Sequence, residues 1–72
     1  MKNVIGRNLK TIRNKLGITQ ELLAIKLELS GWHINRFTIS KIERGERQVT
    51  DIEVDLLANA LKISIQQLFE RE

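Results

Sequence analysis

The sequence predicts an all-α fold, a single domain of short helices spanning residues 1–72. Three observations lead there. Apolar residues recur at helical spacing, first in Ile5, Leu9, Ile12 and Leu16. Helix-start residues stand where later apolar runs begin, at Thr19, Asn35, Thr50 and Ser64. The chain has no proline and few β-branched runs, while Leu, Ile, Lys, Arg and Glu dominate, a composition that favours helices. A chain of 72 residues buries only a modest core, for which a helical bundle is a reasonable solution.

The first helix is expected from about Asn3 to Leu16, with Gly17 ending it and Ile18 plugging the corner. Its other faces carry Arg7, Lys10, Arg13 and Lys15. Thr19 caps the second helix, which runs from about Gln20 to Leu29 or Ser30 and carries an apolar stripe of Leu23, Ala24 and Leu27. Gly31 is a stop, because glycine adopts left-handed backbone cheaply. Trp32 is expected to cover the core beneath a long turn, with an anchor facing a partner as the alternative reading, and His33 reads as a surface or turn residue near a phosphate or in solvent. Asn35 caps a third helix, which ends at Gly45. Thr50-Asp51-Ile52-Glu53 reads as a capping box, followed by Ile52, Leu56, Leu57, Ala60 and Leu61 lining a fourth helix to about Lys62. Ser64-Ile65-Gln66-Gln67 is a second capping box, with Ile65, Leu68 and Phe69 facing inward from a short fifth helix.

Two short helices joined by a glycine-containing turn, here Thr19 to Gly45, make the helix-turn-helix pattern. On a helical wheel started at Arg36, Thr38, Ile42 and Ile39 fall at roughly 200°, 240° and 300°. Arg36, Ser40, Arg44, Phe37 and Lys41 fall between roughly 0° and 140°, a side with three cations and no acid. Such a helix can be held by its aliphatic side while its basic side enters a DNA major groove. The plainer reading is a solvated charged face on an ordinary core helix.

The charge distribution favours a nucleic-acid partner. Residues 1–47 carry ten Lys or Arg against four Glu, a balance of +6. Residues 48–72 carry two cations against five acids, a balance of −3. The cationic part contains the paired helices, as a nucleic-acid footprint should. Without cysteine there is no disulfide framework and no thiolate metal site, and one histidine leaves almost nothing to build a metal centre with. The start of the chain has no apolar signal region and no run approaches a membrane span, so a cytoplasmic location is expected.

Several stretches together resemble the Cro and lambda-repressor-like helix-turn-helix family of XRE-type regulators. They are Thr19-Gln20, Leu23-Ala24, Ile39-Ser40-Lys41-Ile42-Glu43-Arg44-Gly45 and the closing Leu68-Phe69, and the similarity runs from about Ile5 to Phe69. The resemblance implies five helices, sequence-specific DNA binding and, in many relatives, dimerisation through the last helices. One departure stands out: the Thr-Gln pair lies about five residues further from the Ile-Ser pair than in the usual pattern, the surplus falling in Glu28 to Ile34. Either the first helix of the motif is longer or the turn is an enlarged loop. The family also implies a structural pair between Arg13 and Glu43; taken alone, Arg13 also reads as a solvated cation.

Arg36 and Lys41 are the best candidates for guanine O6 and N7, since both can donate to paired acceptors. Phe37 has two readings, contact with a thymine methyl or packing against the surplus turn. Thr38 and Ser40 complete the expected base-reading set. Gln20, at a helix N-terminus, and Arg44, Arg47 and Gln48, near the loop that the family lays on the DNA backbone, are expected at phosphates. The leading expectation is a DNA-binding regulator, a repressor acting as a homodimer on double-stranded DNA, with no cofactor and no small-molecule ligand. The alternative is a protein-interaction module such as an antitoxin or adaptor. An enzyme is disfavoured, because no carboxylate pair is placed to share a pocket.

Overall fold

A computed structural model describes residues 1–71. Five helices follow in order: α1 (Gly6–Lys15), α2 (Gln20–Leu29), α3 (Arg36–Glu43), α4 (Asp51–Leu61) and α5 (Ile65–Phe69). Side chains begin four of them. Thr19 accepts from the Leu22 N–H, Asn35 from Thr38, Thr50 from Glu53 and Ser64 from Gln67. In the last two the glutamate or glutamine at the third position returns a bond to the cap's own N–H, so both capping boxes close.

α1 is begun differently. Its boundary lies three residues later than the sequence suggests, because Asn3 is used outside the helix. The Asn3 Oδ1 accepts from the N–H groups of Ile5 and Gly6, at 3.1 and 2.8 Å. Its Nδ2 donates to the carbonyls of Ile42 and Arg47, at 3.0 and 2.8 Å. One side chain thus starts α1 and ties it to the end of α3. Gly6 permits the approach: a Cβ there would lie 2.2 Å from the Ile42 carbonyl oxygen.

The core is shared by all five helices. Ile5, Leu9, Leu23, Leu27, Ile39, Ile42, Leu57 and Leu68 are fully buried, and Ile12, Ile18, Trp32 and Ile34 pack against them. The α2–α3 connection is a six-residue loop, Ser30 to Asn35, so the surplus length enlarges the turn. Gly31 sits in it at φ 96°, and the Trp32 N–H returns to the Leu27 carbonyl at 3.0 Å. Half-buried Trp32 and Ile34 then close the loop over the core.

Four inward assignments are corrected. α4 buries Val54, Leu57, Ala58 and Leu61, leaving Ile52 exposed and Leu56 and Ala60 half-buried. Apolar residues surround α4, so periodicity fits two stripes equally, and contact with α2 and α5 selects one. On α5 only Leu68 is buried, while Ile65 and Phe69 remain exposed. Leu16 lies beyond the last turn of α1 and is also exposed.

Candidate nucleic-acid interface

α3 is held from behind by apolar packing and by one ionic cluster. Ile39 and Ile42 are fully buried. Glu43, at the end of the same face, accepts from Arg13 Nε at 2.7 Å and Nη2 at 3.1 Å. The side chains of the pair are only 9% and 3% exposed. Gln20 Nε2 donates to the same carboxylate at 3.0 Å, and Arg13 Nη1 donates to the Ile18 carbonyl at 2.8 Å. Three helices therefore meet at one carboxylate, which fixes the direction of α3 relative to α1 and α2. A bidentate guanidinium–carboxylate pair suits this, because its two bonds also constrain rotation.

The outward face presents Arg36, Phe37 and Lys41, all exposed. The Arg36 guanidinium carbon lies 5.0 Å from the centre of the Phe37 ring, a cation–π distance. Among the described residues neither Arg36 nor Lys41 has a carboxylate within ion-pair reach. Phe37 is 64% exposed and borders a shallow groove between α2 and the loop before α3, beside Glu21, Ala24, Ile25, Glu28 and Asn35. Thr38 is half-buried, and its hydroxyl donates to the Asn35 Oδ1.

Most of the other candidates are already engaged. Arg44 donates through Nε and Nη2 to Glu46 and through Nη1 to the Ser40 hydroxyl. The hydrogen bond to Glu46 raises the Arg44 pKa and lowers that of Glu46. Gln20 has given one amide N–H to Glu43, so its other donors, including the backbone N–H opening α2, are what it could offer a phosphate. Arg47 donates through Nη1 and Nη2 to the two oxygens of Glu53, at 3.0 and 3.1 Å, and through Nη1 to the Gln48 carbonyl. Its guanidinium carbon also lies 5.7 Å from the Trp32 ring centre. The bond from Arg47 depresses the Glu53 pKa against a smaller upward push from burial. Gln48 is exposed.

Sequence reasoning had no view of three of these partners. Asn3 reaches carbonyls 39 and 44 residues away, and no local pattern announces such a bond. Glu53 was visible as a cap but not as the counter-charge of Arg47, and Glu46 was one acid in a basic loop. Among the described residues, no group of three or more His, Cys, Asp or Glu could hold a metal ion. Among the described residues, no helix is long and apolar enough to cross a membrane.

Comparison with known proteins places this arrangement. A family model described as helix-turn-helix matches residues 9–68. The control protein C.SmaI of Serratia marcescens is 38% identical over 72 residues, covering all of this chain and 80% of that one. The crystal structure of the restriction-modification controller protein C.AhdI from Aeromonas hydrophila superposes with a TM-score of 0.79 at 32% identity, covering 90% of this chain and 87% of that one. The chain belongs to the XRE-type, lambda-repressor-like helix-turn-helix family and is a sequence-specific DNA-binding transcriptional regulator.

Proposed function

We propose that this regulator is a cytoplasmic, non-enzymatic repressor that binds DNA as a homodimer, each copy placing α3 in a major groove. The controller roles named for its relatives suggest that its targets are restriction-modification genes. The observation that carries the reading is the outward face of α3. Arg36 and Lys41 stand there as unpaired, exposed cations on a helix whose other side is locked by Ile39, Ile42 and Glu43. In this reading Arg36 and Lys41 donate to guanine, Phe37 touches a thymine methyl, and Thr38 and Ser40 serve neighbouring bases or phosphates. Gln20, Arg44, Arg47 and Gln48 set register on the backbone. Arg13 and Glu43 hold the angle of the reading helix rather than touching DNA. Repression follows from occupancy, since a bound dimer covers DNA that polymerase or a competing regulator needs. Ile65 and Phe69, four residues apart on α5 and both exposed, suit a self-complementary contact.

Selecting bound duplexes from a random library tests this. The expected sites contain an inverted repeat with half-sites about one helical turn apart, and the complex has the mass of two chains. Arg36→Ala and Lys41→Ala should each cost about 1–3 kcal/mol at the selected site and relax preference at one position. If both variants keep the wild-type ratio of specific to random affinity while melting normally, α3 is not the reading helix. A second reading, an interaction module, draws on the exposed aliphatic residues Leu22, Ile25 and Leu29 of α2. It predicts little binding to random duplex DNA even at low salt.

A further inference from the structure

Arg47 differs from the other ion-paired arginines in which edge of its guanidinium is occupied. A guanidinium has five N–H donors and two forked edges, one formed by Nη1 and Nη2, the other by Nε and Nη2. Arg13 and Arg44 both give the Nε/Nη2 edge to a carboxylate, Glu43 and Glu46 respectively. Arg47 gives the Nη1/Nη2 edge to Glu53 and its remaining Nη1 donor to the Gln48 carbonyl. Among the described residues, its Nε–H and one Nη2–H have no protein acceptor. Those two donors form a complete fork, the geometry that matches a phosphate.

The surroundings keep that fork in place. The Arg47 guanidinium carbon stands over the Trp32 ring, 5.7 Å from its centre. Glu53 is itself fixed, because one of its oxygens accepts from the Thr50 N–H in the capping box of α4. The Asn3 amide holds the Arg47 backbone carbonyl at 2.8 Å. Arg47 lines a shallow depression together with Lys2, Gln48, Thr50 and Glu53. Glu46 stands on its rim but is paired with Arg44. The Arg47 side chain stays a third exposed, so solvent reaches it. The enlarged turn thus has a task beyond connecting two helices: it delivers an aromatic face to an arginine fifteen residues later.

Resting on the reading of Arg47 as a backbone contact, we propose that Trp32 and Glu53 are positioning residues that hold Arg47 with its Nε/Nη2 edge open for one DNA phosphate. Arg47 meets the phosphate without leaving Glu53, so no ion pair breaks on binding. A pre-set fork loses less rotamer freedom on contact than a free arginine side chain.

The test measures affinity for a random-sequence duplex of about 20 base pairs across a salt series, with a thermal melt for each variant. Arg47→Ala should lower the salt slope by about one unit. Trp32→Leu fills the space with an apolar group but offers no aromatic face, and it should lower the slope by a similar amount. Trp32→Phe restores a ring and should keep the wild-type slope. The double variant Trp32→Leu/Arg47→Ala should match Arg47→Ala alone, because both act on one contact. The proposal is overturned if Trp32→Leu melts below wild type yet keeps its slope, or if its effect adds to that of Arg47→Ala; packing alone would give either result. An unchanged slope in Arg47→Ala, with Lys41→Ala still relaxing specificity, would remove this contact and leave the reading of α3 intact.

Discussion

Removing the Glu43 carboxylate should be the most damaging single change to a charged side chain in this protein. Glu43→Ala leaves the Arg13 guanidinium buried, with the Ile18 carbonyl as its one remaining acceptor among the described residues, and strips the Gln20 amide of its partner. Breaking one side of a buried pair costs about 3–5 kcal/mol, mostly the penalty of an uncompensated charge. A domain of 72 residues has a total stability of about 4–11 kcal/mol at typical per-residue values. The variant should therefore lose about a quarter or more of its stability, with a melting point lower by about 12 °C or more. The double variant Arg13→Met/Glu43→Leu removes both charges at similar volume. It should recover most of the loss, leaving about 1 kcal/mol for the Ile18 carbonyl and Gln20 amide that lose partners. Urea unfolding followed by Trp32 emission and by circular dichroism measures each cost. Two results would refute the reasoning: Glu43→Ala within 1 kcal/mol of wild type, or a double variant no more stable than the single one.

Two further outcomes are expected. Gly6→Ala should destabilise by about 1–3 kcal/mol despite alanine's better helix propensity, because the new Cβ meets the Ile42 carbonyl at 2.2 Å and backbone cannot step aside cheaply; an unchanged or raised urea midpoint would contradict the close α1–α3 approach. Glu53 has its pKa lowered in the fold, so its contribution is present above the ordinary carboxylate value of 4.5 and is lost as pH falls through the lower folded value. Wild type should exceed Glu53→Gln by ~1 kcal/mol at pH 7, and the gap should close in acid; a gap that stays constant down to pH 3 would rule out the Arg47 pair as its source.

Much of the fold was legible because its signals are local. Thr19, Asn35, Thr50 and Ser64 each cap a helix by reaching an N–H three residues on, a geometry that adjacent sequence dictates. Gly31 and Gly45 stand at positive φ where a helix must end. Legibility fails where the outcome depends on what arrives from elsewhere. Ile52 and Val54 are equally apolar, and only the position of neighbouring helices sends Val54 inward. Arg47 read as a free loop cation because nothing six residues away in sequence shows that the chain turns back to bring Glu53 against it. Gln20 looked outward from a helix start, yet Glu43, 23 residues later, claims one of its amide protons. For the interface, the sequence identified the exposed face of α3 but not which of its arginines are already paired.

The anchoring of Asn3 has a practical consequence for handling the protein. The Lys2 N–H donates to the Gly45 carbonyl and the Met1 side chain lies against Gly45, so residues 1 and 2 sit at the carboxyl end of α3. An affinity tag or fluorophore joined there pulls on Asn3, and through it on the Ile42 and Arg47 carbonyls. DNA affinities measured on an amino-terminally tagged protein will therefore carry the tag's influence on α3.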